Sequence, residues 1–238
     1  MSVQHRLIEY YDGETLLEGY LAYDDTIKAP RPGIIIAHTW AGRGPLECLR
    51  ADQLADLGYV GFALDMYGKG LLGTTPEENS ARMQPMMDDR GALQQRMSAA
   101  LDIAGAQPEV DASNMAAIGY CFGGLCALDL ARTGADLKGA VSFHGLFNAP
   151  DNIDKPNVKG KILCLDGHDD PMTPNEAIVA LQKEMTDAGV DWQLHTYGGT
   201  LHGFTNPEAD MPDMGIKYNA DADRRSWQAL ENFLDEIF

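Results

Sequence analysis

The chain has 238 residues, 45% of them hydrophobic, with 36 acidic against 18 basic side chains and a formal charge of −18. That length fits one α/β domain over residues 1–238 with a substantial core. The charge leaves nothing basic to neutralise phosphates, so no nucleic-acid partner is expected. In chain order, Val3–Tyr11 and Thr15–Tyr23 are β-rich runs joined across Asp12-Gly13, which predicts an antiparallel hairpin. Apolar runs then alternate with helical ones. Strands are expected at Gly33–His38, Tyr59–Leu64, Met115–Tyr120, Gly139–Phe143, Ile162–Leu165 and Trp192–Tyr197. Helices are expected around Pro45–Leu57, Pro76–Ala104, Gly123–Thr133, Asn175–Ala188 and Asp221–Ile237. Short, nearly continuous apolar strands between helices predict a mostly parallel sheet with helices on both faces.

Two loops, Gly68–Glu78 and Thr205–Tyr218, are longer than such a scaffold needs. In open α/β sheets, ligands bind where loops gather beyond the carboxyl ends of the strands. The start of the chain is polar, and no stretch approaches a membrane span, so a cytoplasmic location without membrane contact is expected. The four cysteines, Cys48, Cys121, Cys126 and Cys164, show neither C-x-x-C pairs nor zinc-ligand spacing.

Gly119-Tyr120-Cys121-Phe122-Gly123-Gly124 carries the most chemistry. An apolar run precedes it and a helix-like run follows, the context of a strand-to-helix elbow that presents a nucleophile. The glycines suit a turn in which strand and helix nearly touch. Read without context, the same Cys would be a small buried hydrophobe. A catalytic thiol needs a base, and the base needs an orienting acid. Downstream, Ile162–Leu165 leads into Asp166-Gly167-His168-Asp169-Asp170-Pro171, where Asp170 is placed to be that acid. The aspartates could equally cap the next helix. A metal site lacks matching ligand spacing. After Trp192–Tyr197 comes Gly198-Gly199-Thr200-Leu201-His202-Gly203-Phe204, with His202 in a glycine-flanked loop that suits a base. His38 and His144 end strands and could support the site from behind.

These motifs, with Asp65-Met66-Tyr67-Gly68 and the hairpin, resemble the dienelactone hydrolase family of α/β-hydrolases over nearly the whole chain. The resemblance implies an α/β-hydrolase fold, Cys121 as nucleophile, Asp170 as orienting acid and His202 as base. It implies an oxyanion hole from the backbone N–H groups of Trp40 and Phe122, and no cofactor or metal. The chain departs from the founding enzymes at two positions. Thr39 stands where they hold a resting-thiol Glu, and Asn206 where they place an Arg that binds the substrate carboxylate. Arg82 aligns loosely with a second such Arg.

A cationic clamp contributes roughly 1.5–3 kcal/mol through a charge-assisted hydrogen bond. Without it, small neutral esters or lactones are the expected substrates. Neutral phosphotriesters are the alternative on the same site. A redox role for Cys121, with Cys126, is the alternative outside catalysis. The expected partner is a small-molecule substrate, with the protein a monomer or homodimer.

Overall fold

The structure is a computed structural model that describes residues 3–238. Strand β1 (Val3–Asp12) pairs antiparallel with β2 (Thr15–Asp24), with Val3 opposite Asp24 and Asp12 opposite Thr15. The turn between them runs through Gly13 at φ 57°, a left-handed conformation that glycine adopts without strain. There follow β3 (Arg31–Ala37), α1 (Pro45–Asp56), β4 (Val60–Ala63), α2 (Pro76–Asp88), α3 (Arg90–Gly105) and β5 (Val110–Tyr120). The remainder is α4 (Phe122–Arg132), β6 (Gly139–Phe143), β7 (Lys161–Gly167), α5 (Asn175–Asp187), β8 (Trp192–Tyr197), β9 (Asp210–Met211), β10 (Ile216–Lys217) and α6 (Ala220–Ile237).

Eight strands form one sheet in the order β1-β2-β4-β3-β5-β6-β7-β8. The pairs β3–β4, β6–β7 and β7–β8 are parallel, and β2 meets β4 antiparallel. This is the mostly parallel architecture with an N-terminal hairpin that the alternation of apolar runs predicts. Central strands are covered on both faces, which is why Ile34–Ala37 and Ala116–Ile118 are fully buried at every position.

Backbone contacts group the chain into two compact units, one ending at Ile118 and the other Gly119–Phe238. In the first, Arg96 on α3 is buried and bonds Asp12 at 2.6 Å and the Met66 carbonyl at 2.8 Å, anchoring the hairpin's turn to the helix. In the second, α4 is buried along its whole length, Arg132 included. That guanidinium is held by Asp129, by both oxygens of Glu184 and by the Phe147 carbonyl, which satisfies a charge that burial would otherwise penalise.

Two expectations are corrected. The helical run Pro76–Ala104 is two helices, because Asp89 leaves the helical conformation at φ −123°, ψ 85°. Its carboxylate then accepts from the Ala92 N–H and caps α3. Pro85, inside α2, also lacks an N–H for the preceding turn. The loop Thr205–Tyr218 contains the β9–β10 hairpin and a 3-10 turn, Pro212–Met214. Two-residue strands carry no periodicity to read. Among the described residues, no helix is long and apolar enough to cross a membrane.

Candidate active site

Cys121 caps the N-terminus of α4 at φ 57°, ψ −119°, a region non-glycine residues rarely occupy. The surroundings over-determine this geometry. The Cys121 N–H donates to the Phe143 carbonyl at 3.0 Å, and its carbonyl accepts from the Gly124 N–H at 3.0 Å. A Cβ at Gly119 would lie 1.9 Å from the Gly123 oxygen, and one at Gly124 would lie 2.5 Å from Ser142 Oγ. Strand, turn and helix therefore touch through backbone, and only glycine fits. None of the four cysteines is in a disulfide. Cys121 is half-buried, whereas Cys126 and Cys164 are buried, and burial pushes the Cys164 thiol up to about 12.

The Asp and His come from loops beyond β7 and β8. The turn after β7 is closed by the Asp170 N–H donating to the Gly167 carbonyl, and by the Met172 N–H donating to Asp170 Oδ1 at 2.8 Å. The other carboxylate oxygen, Oδ2, meets His202 Nδ1 at 2.7 Å. A carboxylate only accepts, so Nδ1 carries a proton and Nε2 is the nitrogen left for chemistry. Asp169, its neighbour, is exposed and does not take this place.

His202 itself is pinned by backbone. Its N–H donates to the Gly215 carbonyl and its carbonyl accepts from the Lys217 N–H, so the hairpin missed in the sequence holds the imidazole. His202 Nε2 is buried and has no hydrogen-bond partner of normal geometry among the described residues. Burial opposes the imidazolium, but the Cys121 thiolate and the Asp170 carboxylate outweigh it and raise His202 to about 10. Cys121 acts on the imidazole both through its charge and through hydrogen bonding. His144, at the end of β6 with φ 38°, sets its ring edge-on to His202 at 5.1 Å, and its Nε2 lies 2.8 Å from Thr205 Oγ1. Asn206 is engaged within its own loop, its N–H donating to the Gly203 carbonyl at 3.0 Å. Its side-chain oxygen accepts from the Glu208 N–H.

Residues 38–44, after β3, form a second organised turn. The Thr39 N–H and Gly44 N–H both donate to the buried Glu47, at 3.1 and 2.8 Å. His38 Nε2 accepts from the Met66 N–H, which makes Nδ1 the donor to the Thr39 carbonyl at 2.5 Å. Burial lowers the His38 pKa, consistent with a neutral ring. The Trp40 carbonyl accepts from Tyr67 Oη at 3.0 Å, and the Ala41 carbonyl from the Gly73 N–H at 2.8 Å. Among the described residues, the Trp40 N–H is left without an acceptor. Arg82 lies on α2, half-buried, with its Nε bonded to nothing among the described residues. Lys69 is paired with Glu9 and Glu18. No three His, Cys, Asp or Glu side chains among the described residues gather to hold a metal ion.

The family model described as the dienelactone hydrolase family matches residues 17–238. The chain belongs to the dienelactone hydrolase family. It is a dienelactone hydrolase-like ester or lactone hydrolase. A solved structure named m3DLH is 40% identical and superposes with a TM-score of 0.95 over 99% of both chains. The dienelactone hydrolase-like promiscuous phosphotriesterase P91, from metagenomic libraries, is 37% identical over the whole of both chains, with a TM-score of 0.94. A carboxymethylenebutenolidase homolog of Pongo abelii is 23% identical over 94% of this chain and 92% of its own.

Proposed function

We propose that this dienelactone hydrolase family member cleaves small, mainly neutral esters or lactones by covalent catalysis on Cys121. The observation that carries the proposal is the 2.7 Å bond from His202 Nδ1 to Asp170, together with the mutual charge effect between His202 and Cys121. The thiolate of Cys121 attacks the carbonyl carbon and a C–S bond forms. The C–O bond to the leaving oxygen breaks, and the His202 imidazolium gives that oxygen its proton. Neutral His202 then takes a proton from water, hydroxide attacks the thioester and the C–S bond breaks, restoring the thiolate–imidazolium pair. Asp170 holds the imidazole in the tautomer that leaves Nε2 towards the reaction. The N–H of Phe122, the first residue of α4 and next to the nucleophile, is a donor for the oxyanion.

The preference for neutral substrates rests on Thr39 and Asn206, which supply no positive charge, and on the Asn206 oxygen being engaged within its own loop. The test uses p-nitrophenyl esters against matched carboxylate-bearing lactones. Cys121→Ala should abolish turnover with the fold intact, and kcat/KM should favour the neutral ester. Turnover of any ester by Cys121→Ala at the wild-type rate would refute the nucleophile. His202→Ala should lower kcat by several orders of magnitude, and Asp170→Asn by roughly 10⁴, as in comparable triads.

A second reading is supported by the 37% identity to a promiscuous phosphotriesterase. A neutral phosphotriester attacked by Cys121 would form a P–S bond with loss of its aryloxide. Water deprotonated by His202 would then break that P–S bond, helped by the lower pKa of a thiol leaving group. Excess substrate should release a burst of aryloxide followed by slower steady turnover. A single equivalent with a permanent phosphoryl adduct on Cys121 would refute this reading. The redox alternative finds little support in Cys126, which is fully buried on α4.

A further inference from the structure

Asp166, near the end of β7, is fully buried. Its Oδ1 accepts from Thr173 Oγ1 at 2.8 Å, while its Oδ2 is buried with no hydrogen-bond partner among the described residues. Buried carboxylates are ordinarily filled on both oxygens, so a half-filled one calls for an explanation. The explanation lies in its neighbours. Thr173, the donor to Asp166, also gives its backbone N–H to the Asp170 carbonyl at 3.3 Å, so one turn carries both carboxylates.

The charged groups that face Asp166 are few. Asp170 acts on it from the turn after β7, and His202 from the loop after β8. Cys164, two residues back on β7, is a neutral buried thiol. Burial pushes the Asp166 carboxyl up to about 6, the Thr173 bond opposes that, the Asp170 charge adds to it and the His202 charge opposes it. A carboxyl so placed changes charge within the working range of a hydrolase, one turn away from the groups that move the protons.

We propose that Asp166 is a positioning residue for the reaction, and that its charge, present or quenched, governs how tightly His202 holds its proton. The proposal rests on His202 being the base of the reaction. Coupling between titrating groups is mutual, so whatever His202 does to Asp166, Asp166 does to His202. Ionised Asp166 adds a second negative charge that acts on the imidazole, from the turn that also carries Asp170. That favours the thiolate–imidazolium pair needed for attack and delays the neutral imidazole needed for hydrolysis of the thioester. Neutral Asp166 leaves Asp170 as the single counter-charge and releases the base at lower pH.

The experiment is an NMR titration of the His202 ring, beside pH profiles of kcat on an ester that shows a burst. Asp166→Asn keeps the shape and removes the charge. The His202 titration and the acid limb of thioester hydrolysis should both move to lower pH, by roughly one unit for one neighbouring charge. Thr173→Val removes the one hydroxyl donor to Asp166 and keeps the carboxyl neutral to higher pH; it should leave the resting ring titration near 10 in place and shift only the acid limb of thioester hydrolysis, in the same direction by less. A merely structural role would change stability and leave both curves in place. Folded Asp166→Asn with a His202 titration superimposable on wild type would overturn the proposal. Failure of the function itself would show differently, as ester turnover that survives Cys121→Ala, and the ring titration would still decide the role of Asp166.

Discussion

The elbow at Cys121 and the turn after β3 are both tightly defined, but they are held by different forces. The elbow is held by exclusion. A Cβ at Gly119 would overlap the Gly123 carbonyl oxygen at 1.9 Å, and one at Gly124 would meet Ser142 Oγ at 2.5 Å and the Gly145 backbone at 2.8 Å. The turn at residues 38–44 is held by side-chain hydrogen bonds arriving from elsewhere: Glu47 from α1, and Tyr67 from beyond β4. Exclusion restricts which residues can occupy the turn itself, so it is written locally. Hydrogen bonds restrict only the donors and acceptors that arrive, so their source can lie anywhere in the chain.

That difference makes the elbow brittle and the other turn graded, and the largest effect belongs to the elbow. Gly119→Ala should destabilise by about 3 kcal/mol or more, because neither the strand nor α4 has a flexible side chain to move aside. Urea unfolding measures it, and a loss under 1 kcal/mol would show that the elbow yields.

The buried carboxylates of the two regions differ in how fully they are satisfied. Glu47 has both oxygens bonded to backbone N–H groups, whereas Asp166 has one oxygen empty. A carboxyl raised from 3.8 to about 6 on folding contributes stability that is complete below pH 3.8 and lost as pH rises through about 6. Asp166→Asn escapes that loss. The stability of the variant relative to wild type should therefore improve by on the order of 2–3 kcal/mol between pH 3.5 and pH 8. Calorimetry at the two pH values checks it, and a constant difference would remove the asymmetry between the carboxylates.

Glu47→Ala strips two backbone donors of their acceptor and should destabilise by about 2 kcal/mol. Tyr67→Phe, the mildest change, removes one hydroxyl from the Trp40 carbonyl and should destabilise by about 1 kcal/mol. Thermal unfolding measures it, and an unchanged midpoint would show that the Trp40 carbonyl does not depend on Tyr67.

The same division explains how far the residues could be read in advance. Strands β6 and β8 have the bounds that their apolar runs predict, Gly139–Phe143 and Trp192–Tyr197. Strand β5 begins at Val110, five residues before the expected Met115, because Asp111-Ala112-Ser113-Asn114 is polar and reads as loop. The pairing of Asp170 with His202 follows the chain order of elbow, acid and base, whereas the hairpin β9–β10 that fixes His202 has no pattern of its own. Thr39 and Asn206 could be named as departures from a family pattern. Their contacts, to Glu47 and Glu208, could not.

From the sequence alone came the alternation of buried strands with helices, the glycine-framed Cys121 and the spacing to Asp170 and His202. Each of these follows from a rule that acts over a few neighbouring residues: periodicity of burial, absence of a Cβ, position just after a strand. Only the tertiary structure decided which oxygen of Asp170 meets which nitrogen of His202, that Glu47 and Tyr67 hold the turn after β3, and that Asp166 is buried with one oxygen empty. Those depend on distances between residues far apart in the chain and on the removal of water around them. Burial and charge together set a proton's position, and no stretch of sequence carries that sum by itself.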